Sequence, residues 1–232
     1  MAFDSKTFQT RSLTAVVFVI VMLAGLLWNG WSFIFLFTII HFGCWYEFIR
    51  LIKKISSTRW WLFLPLGLLY ITLPILLLML CGFPGTNLIL LRQNYHGAWN
   101  YSPVLPCGII FSIWINDTMA YIVGSLIGKT PLSKISPKKT WEGTIGGALL
   151  CILTISLIGK AIIYYSWKDW FIIASCCAVF GTLGDLLESK LKRMAKVKDS
   201  GTFMPGHGGF LDRFDSLLIA SLPVGLYYFF FM

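Results

Sequence analysis

Asp185, Glu188, Ser189 and Lys192 stand at i, i+3, i+4 and i+7, so on a helix all four project from one face. Twenty residues beyond Lys192, Asp212 and Asp215 stand at i and i+3, with Arg213 between them and His207-Gly208-Gly209 just ahead. Carboxylates beside basic groups and a glycine-rich turn suit a site for a polyphosphate and its cation. Mg2+ typically takes one or two carboxylates plus substrate phosphate oxygens. Asp185 and Asp212, on neighbouring helix ends, would make such a hard-oxygen site. His207 has no partner histidine or cysteine nearby and fits a hydrogen-bond donor or proton carrier better than a ligand. Two competing readings are a self-satisfied ion-pair network on the first helix and dipole capping on the second. Capping leaves the two glycines, His207 and Arg213 unexplained.

Two more groups carry chemistry. In Asn116-Asp117-Thr118, Asp117 shares a helical face with Tyr121 and lies about seven residues, roughly 10 Å, inside a helix end. A carboxylate at that depth is expensive and points to function; interhelical hydrogen bonding is the alternative. The loop from Gly128 to Gly143 holds four lysines, Lys138 and Lys139 among them, and Thr140 is placed to cap the next helix. Amides at such a helix start attract phosphate. The GxxxxGK[ST] spacing of a Walker A loop is absent. Glu47 and Arg50 read as a local i, i+3 pair or a helix contact, His41 as a packed, hydrogen-bonded group, and His96 has no assigned role.

These residues need a frame that keeps charges at a membrane boundary. The 232-residue chain is 57% hydrophobic and 12% charged, about half the charged fraction of a soluble domain. Charge-free runs extend from Ser12 to Tyr46, Trp60 to Leu91 and Ser216 to Met232, and runs of about 18 or more apolar residues span bilayers. Helices are expected at roughly 13–29, 31–52, 61–81, 103–124, 143–165, 170–188 and 210–231, each about 20 residues and so near the hydrocarbon thickness. The fold class is therefore all-α, a polytopic integral membrane helical protein with seven transmembrane helices. The first is read as a retained helix, since its apolar stretch is too long for a signal peptide and no small-residue cleavage site follows.

With the N-terminus cytoplasmic, sixteen of the 19 basic residues fall on the cytoplasmic side and Arg92, Lys160 and Lys168 on the other, which is the positive-inside pattern. The expected location is the cell inner (cytoplasmic) membrane, multi-pass, with the active site facing the cytoplasm. Residues 1–102 are expected to be scaffold helices with lipid access. Residues 103–232 are expected to be the catalytic helices, with two cytoplasmic basic loops. The six cysteines form no CxxC pair and read as apolar packing residues.

The last two clusters resemble the phosphatidate cytidylyltransferases (CDP-diacylglycerol synthases). That family's C-terminal signature appears here as Ser189, Lys192-Arg193, Lys198-Asp199, His207-Gly208-Gly209, Asp212-Arg213 and Asp215, with every spacing intact. The Asn116-Asp117-Thr118 helix and the loop from Ser136 to Gly143 also look like that family. Met204 departs mildly from its usual branched aliphatic residue, and the N-terminal half resembles it only in hydropathy. The resemblance implies that CTP and phosphatidate give CDP-diacylglycerol and pyrophosphate, with Mg2+ and possibly a second cation. It implies Asp185 and Asp212 as metal ligands, and Asp185, Asp212, Lys192 and His207 as catalytic residues. Asn116, Asp117, Lys138, Lys139, Ser189, Arg193, Lys198, Asp199, Arg213 and Asp215 are the substrate-binding residues it implies. The partners expected are the two substrates and the bilayer, with no nucleic acid, and the assembly expected is a homodimer. Another CTP-dependent lipid enzyme (a polyprenol-type kinase or an isoprenoid-lipid cytidylyltransferase) is the nearest alternative, and an anion transporter a more distant one.

Overall fold

A computed structural model describes residues 5–84, 100–161, 165–204 and 208–232, with side chains from residue 12 onward. These residues form seven helices in chain order. They are α1 (Ser5–Leu27), α2 (Gly30–Ile55), α3 (Trp60–Cys81), α4 (Val104–Ile127), α5 (Trp141–Ala161), α6 (Trp167–Met194) and α7 (Leu211–Phe231). No β-strand occurs among them; the extended backbone is confined to two isolated bridges. The chain is an all-helical polytopic membrane protein. Six helices, α2 to α7, are long and apolar enough to cross a membrane. In the place of the expected seventh span, α1 contributes a shorter apolar stretch, Ser12–Leu27.

Helix boundaries follow from local chemistry. Asn29 and Ser32 form a capping box that starts α2 directly after α1, and Ser166 with Asp169 does the same for α6. Pro65 and Pro74 divide α3 into a 3-10 turn, a short α segment, a π-helical turn at Leu68–Thr72 and a final α segment. Proline cannot donate its backbone bond and its ring crowds the preceding turn, so the spiral must widen there. Within this frame His41 Nε2 meets Thr72 Oγ1 at 3.0 Å, which is the packed histidine expected from sequence.

The outward faces are apolar, as lipid demands. On α5, Leu149, Leu153 and Leu157 are between 57% and 64% exposed at i, i+4 and i+8, a single stripe. The inward faces carry small residues. A Cβ at Gly147 would stand 2.6 Å from the backbone nitrogen of Ala120, so only glycine lets α4 and α5 approach this closely. Without a hydrophobic drive between helices in lipid, such close packing is what holds a bundle together. α6 packs on both α5 and α7, and α3 packs on α7. The polar residues of α4, α6 and α7 are thereby gathered toward one end of the bundle.

Candidate active site

The loop between α4 and α5 is fixed from both sides. Thr140 Oγ1 accepts from Gly143 N at 3.2 Å and caps α5 as expected. Glu142, in the first turn of α5, accepts the backbone amides of Lys129 (3.1 Å) and Thr130 (3.2 Å). Backbone bonds from Leu132 N to Lys139 O (2.7 Å) and from Trp141 N to Thr130 O (2.9 Å) close the loop into a narrow hairpin. Its tip therefore has a defined shape, and Lys138 and Lys139 are held over α4 and α6.

Between them lies a cavity of about 480 Å³. Asn116, Asp117 and Tyr121 line it from α4, Lys138 and Lys139 from the loop, and Asp185 from α6. Lys139 Nζ forms an ion pair with Asp185 Oδ2, and Ser189 Oγ donates to Asp185 Oδ1 at 3.2 Å. Asp117 lines the same cavity, and Asp215 is buried in the first turns of α7. Asn116 is buried, and its Oδ1 has no hydrogen-bond partner among the described residues.

One turn along α6, a second cluster forms around Lys192. Its ammonium pairs with Glu188, which is fully buried, and with Asp212 Oδ1 at 2.6 Å. Asp212 Oδ2 accepts from Ser200 N (2.8 Å), Ser200 Oγ (2.9 Å) and Gly209 N (2.8 Å). The i, i+3, i+4, i+7 face read from sequence is therefore real: Asp185–Ser189 and Glu188–Lys192 are its two contacts. The helix also continues to Met194, beyond the expected end at 188.

The expected site residues fall into three groups. Asn116, Asp117, Lys138, Lys139, Asp185 and Ser189 gather at or beside the cavity. Lys192 and Asp212 make the adjacent ion-pair cluster, and Asp215 is buried one turn along α7. Arg193, Lys198, Asp199 and Arg213 are exposed, with an Arg193 guanidinium nitrogen 3.4 Å from the Val197 carbonyl. His207 lies outside the described residues. Asp185 and Asp212, expected to share a cation, are each engaged by a different lysine. Among the described residues no three His, Cys, Asp or Glu side chains are grouped closely enough to hold a metal ion.

Two residues were missed. Glu142 organises the lysine loop, and a carboxylate following a run of loop amides gives only a faint hint of that. Of the two readings of Glu47, a pair with Arg50 or a helix contact, the structure has the second, at the start of α7. Glu47 is 3% exposed and accepts from Ser200 Oγ (2.6 Å), Phe210 N (3.0 Å) and Leu211 N (2.9 Å). Its one signal in the sequence is that it is an ionisable residue inside a span, which is a functional flag by default.

A model of the cytidylyltransferase family matches residues 75–232. The chain belongs to the cytidylyltransferase family. Among curated relatives, this family member is 49% identical over 144 residues to "Phosphatidate cytidylyltransferase 4, chloroplastic" of Arabidopsis thaliana, covering 60% of this chain and 36% of that protein. It is 48% identical over 115 residues to the phosphatidate cytidylyltransferase of Staphylococcus saprophyticus, covering 48% of this chain and 44% of that protein. Each match spans less than half of the relative's length. The family match includes the whole of α4 to α7, and so both polar clusters, but begins within α3 and leaves out α1 and α2.

Proposed function

We propose that the protein is a CTP:phosphatidate cytidylyltransferase, making CDP-diacylglycerol and pyrophosphate for phospholipid synthesis. The observation that carries the reading is the cavity where Asp117 and Asp185 meet Lys138 and Lys139, in a chain of this family. A lipid phosphate oxygen attacks the α-phosphorus of CTP, one phosphorus–oxygen bond forms, and the bond to the β-phosphate bridging oxygen breaks. Pyrophosphate leaves with the electron pair. The attacking group is already an anion, so no side chain needs to become a nucleophile. The two substrates repel each other, and the protein's work is charge neutralisation and in-line positioning.

Lys138 and Lys139 neutralise nucleotide phosphates from the loop, while Lys192 and Arg193 do so from α6. Ser189 and His207 donate hydrogen bonds to phosphate oxygens, and the open Oδ1 of Asn116 accepts one from a substrate donor. Lys198, Asp199 and Arg213 frame the approach. Residues 103–232 carry the chemistry and residues 1–102 the scaffold. The site faces the cytoplasm, where the nucleotide arrives, and the lipid head group enters laterally between helices. The excess of basic residues on the proposed inner side supports that orientation.

A divalent cation fits the donor set. Asp117, Asp185, Glu188, Asp212 and Asp215 outnumber Lys139 and Lys192, and buried carboxylates without countercharge are costly. Asp185 and Asp212 are the proposed ligands, with Asp117 and Asp215 available to a second ion or to orient a lysine. In this structure Asp185 meets Lys139 and Asp212 meets Lys192, so a bound cation would compete with these ammonium groups for the carboxylates. When bound, Mg2+ supplies charge to the phosphates and lowers the repulsion between substrates.

The acceptor decides among the related activities. Purified full-length chain is given CTP and Mg2+ with phosphatidate, a polyprenol, or an isoprenoid ether-lipid phosphate, in detergent. A CDP-lipid product from phosphatidate, at rates well above the other two, is expected. Preferential modification of either alternative would overturn the assignment.

A further inference from the structure

We infer that Glu47, in α2 and outside the family-matched stretch, is a positioning residue of the transfer site: it sets the start of α7 and, through Ser200, the carboxylate of Asp212. The inference rests on the transferase reading above. α7 begins at Leu211 with no side-chain cap of its own at Phe210, yet the first amides of a helix need partners. Glu47 supplies them from a different helix, accepting Phe210 N and Leu211 N, and its charge lies at the positive end of the α7 dipole. The Ser200 hydroxyl lies between two carboxylates, 2.6 Å from Glu47 Oε2 and 2.9 Å from Asp212 Oδ2. Having one proton, it donates to one at a time, and the shorter contact is to Glu47. Glu47 thus holds Ser200 in place while the Ser200 amide and Gly209 amide orient Asp212.

The surrounding backbone is shaped for this carboxylate. A Cβ at either Gly201 or Gly209 would collide with the Glu47 carboxyl oxygens. The second glycine of His207-Gly208-Gly209 is therefore matched to a residue more than 150 positions earlier. One turn before Glu47, Gly43 leaves room for the Phe210 ring, which a Cβ at Gly43 would meet at 2.5 Å. Two successive turns of α2 are thus fitted to Ser200, Gly201 and the Gly209–Leu211 backbone, which lead into Asp212.

Glu47→Gln keeps the shape but turns an NH2 group toward hydrogen-bond donors. In full-length protein in detergent with phosphatidate and CTP, kcat should fall about 10- to 100-fold, the size typical of residues that orient a metal or reacting site. The KM for CTP should stay within about twofold, since Glu47 touches no nucleotide. Amide hydrogen exchange should accelerate about tenfold or more at residues 208–212 while other helices keep their protection. Wild-type exchange at 208–212 together with wild-type kcat would overturn the inference, as would a loss of protection spread over the whole bundle. Should Glu47→Gln fail to fold, Ser200→Ala decides: a fall in kcat at unchanged KM supports the relay, and unchanged kcat refutes it. Should the wild-type protein transfer no cytidylyl group, the reading of function fails on its own. The exchange comparison then still decides whether Glu47 holds α7.

Discussion

Replacing Asp212 by asparagine separates folding from chemistry. The Asp212 side chain is 8% exposed, and its two oxygens have different duties. Oδ2 takes the backbone amides of Ser200 and Gly209, with the Ser200 hydroxyl shared with Glu47, while Oδ1 meets the Lys192 ammonium. In the asparagine variant the amide oxygen can keep the two backbone donors, leaving the NH2 group to face Lys192. One charge-assisted hydrogen bond is lost, worth about 1.5–3 kcal/mol. Lys192 keeps Glu188, so its own charge is not stranded. Stability should fall by about 2 kcal/mol, or about 4–8 °C in melting temperature for a chain of this size. Catalysis should fall further, because the lost charge is the one proposed to position phosphate and cation. Removing one preorganised electrostatic partner typically costs about 10²–10³ in kcat. Thermal unfolding in detergent and steady-state turnover with radiolabelled CTP measure the two effects on one preparation. Turnover within about threefold of wild type would refute the role given to Asp212.

Chelation by EDTA should abolish turnover and added Mg2+ should restore it; activity persisting after exhaustive chelation would remove the cation from the account. Glu142→Gln, which loosens the amides of Lys129 and Thr130, should raise the KM for CTP several-fold with a smaller change in kcat, measured by steady-state kinetics. Gly147→Val drives a side chain into the α4 backbone and should destabilise the bundle by about 1–3 kcal/mol, visible as a lower melting temperature. Lys53→Ala should leave turnover unchanged, because its ammonium sits 4.7 Å over the Trp60 ring, away from the cavity. A large loss there would mean that basic charge as such, rather than placed lysines, drives the reaction.

The membrane frame was legible because lipid imposes a simple rule: long apolar runs must be helices. Boundaries failed where helix and hydropathy part company. α6 runs six residues past the expected end at 188, to Met194, where Asp185–Ser189 and Glu188–Lys192 bridge successive turns, which a hydropathy window does not see. The mixed geometry of α3 was also hidden, although Pro65 and Pro74 cause it. At the site, local spacing gave the α6 face and the Thr140 cap. The partition of Asp185 and Asp212 between Lys139 and Lys192 depends on how helices pack, which spacing does not encode. Glu47 shows the same limit most clearly, since its partners lie 153 to 164 residues away. Its neighbour Arg50, three residues on, was a plausible local partner but not its observed one.

The central claim is that the cavity between the lysine loop and Asp185 transfers a cytidylyl group to a lipid phosphate. CTP labelled with ³²P at the α position, and separately at the γ position, tests it in one assay with purified protein, Mg2+ and phosphatidate. Cytidylyl transfer puts α label in the chloroform-soluble lipid and γ label in released pyrophosphate. Label from the γ position in the lipid, or no label in lipid from either, would contradict it.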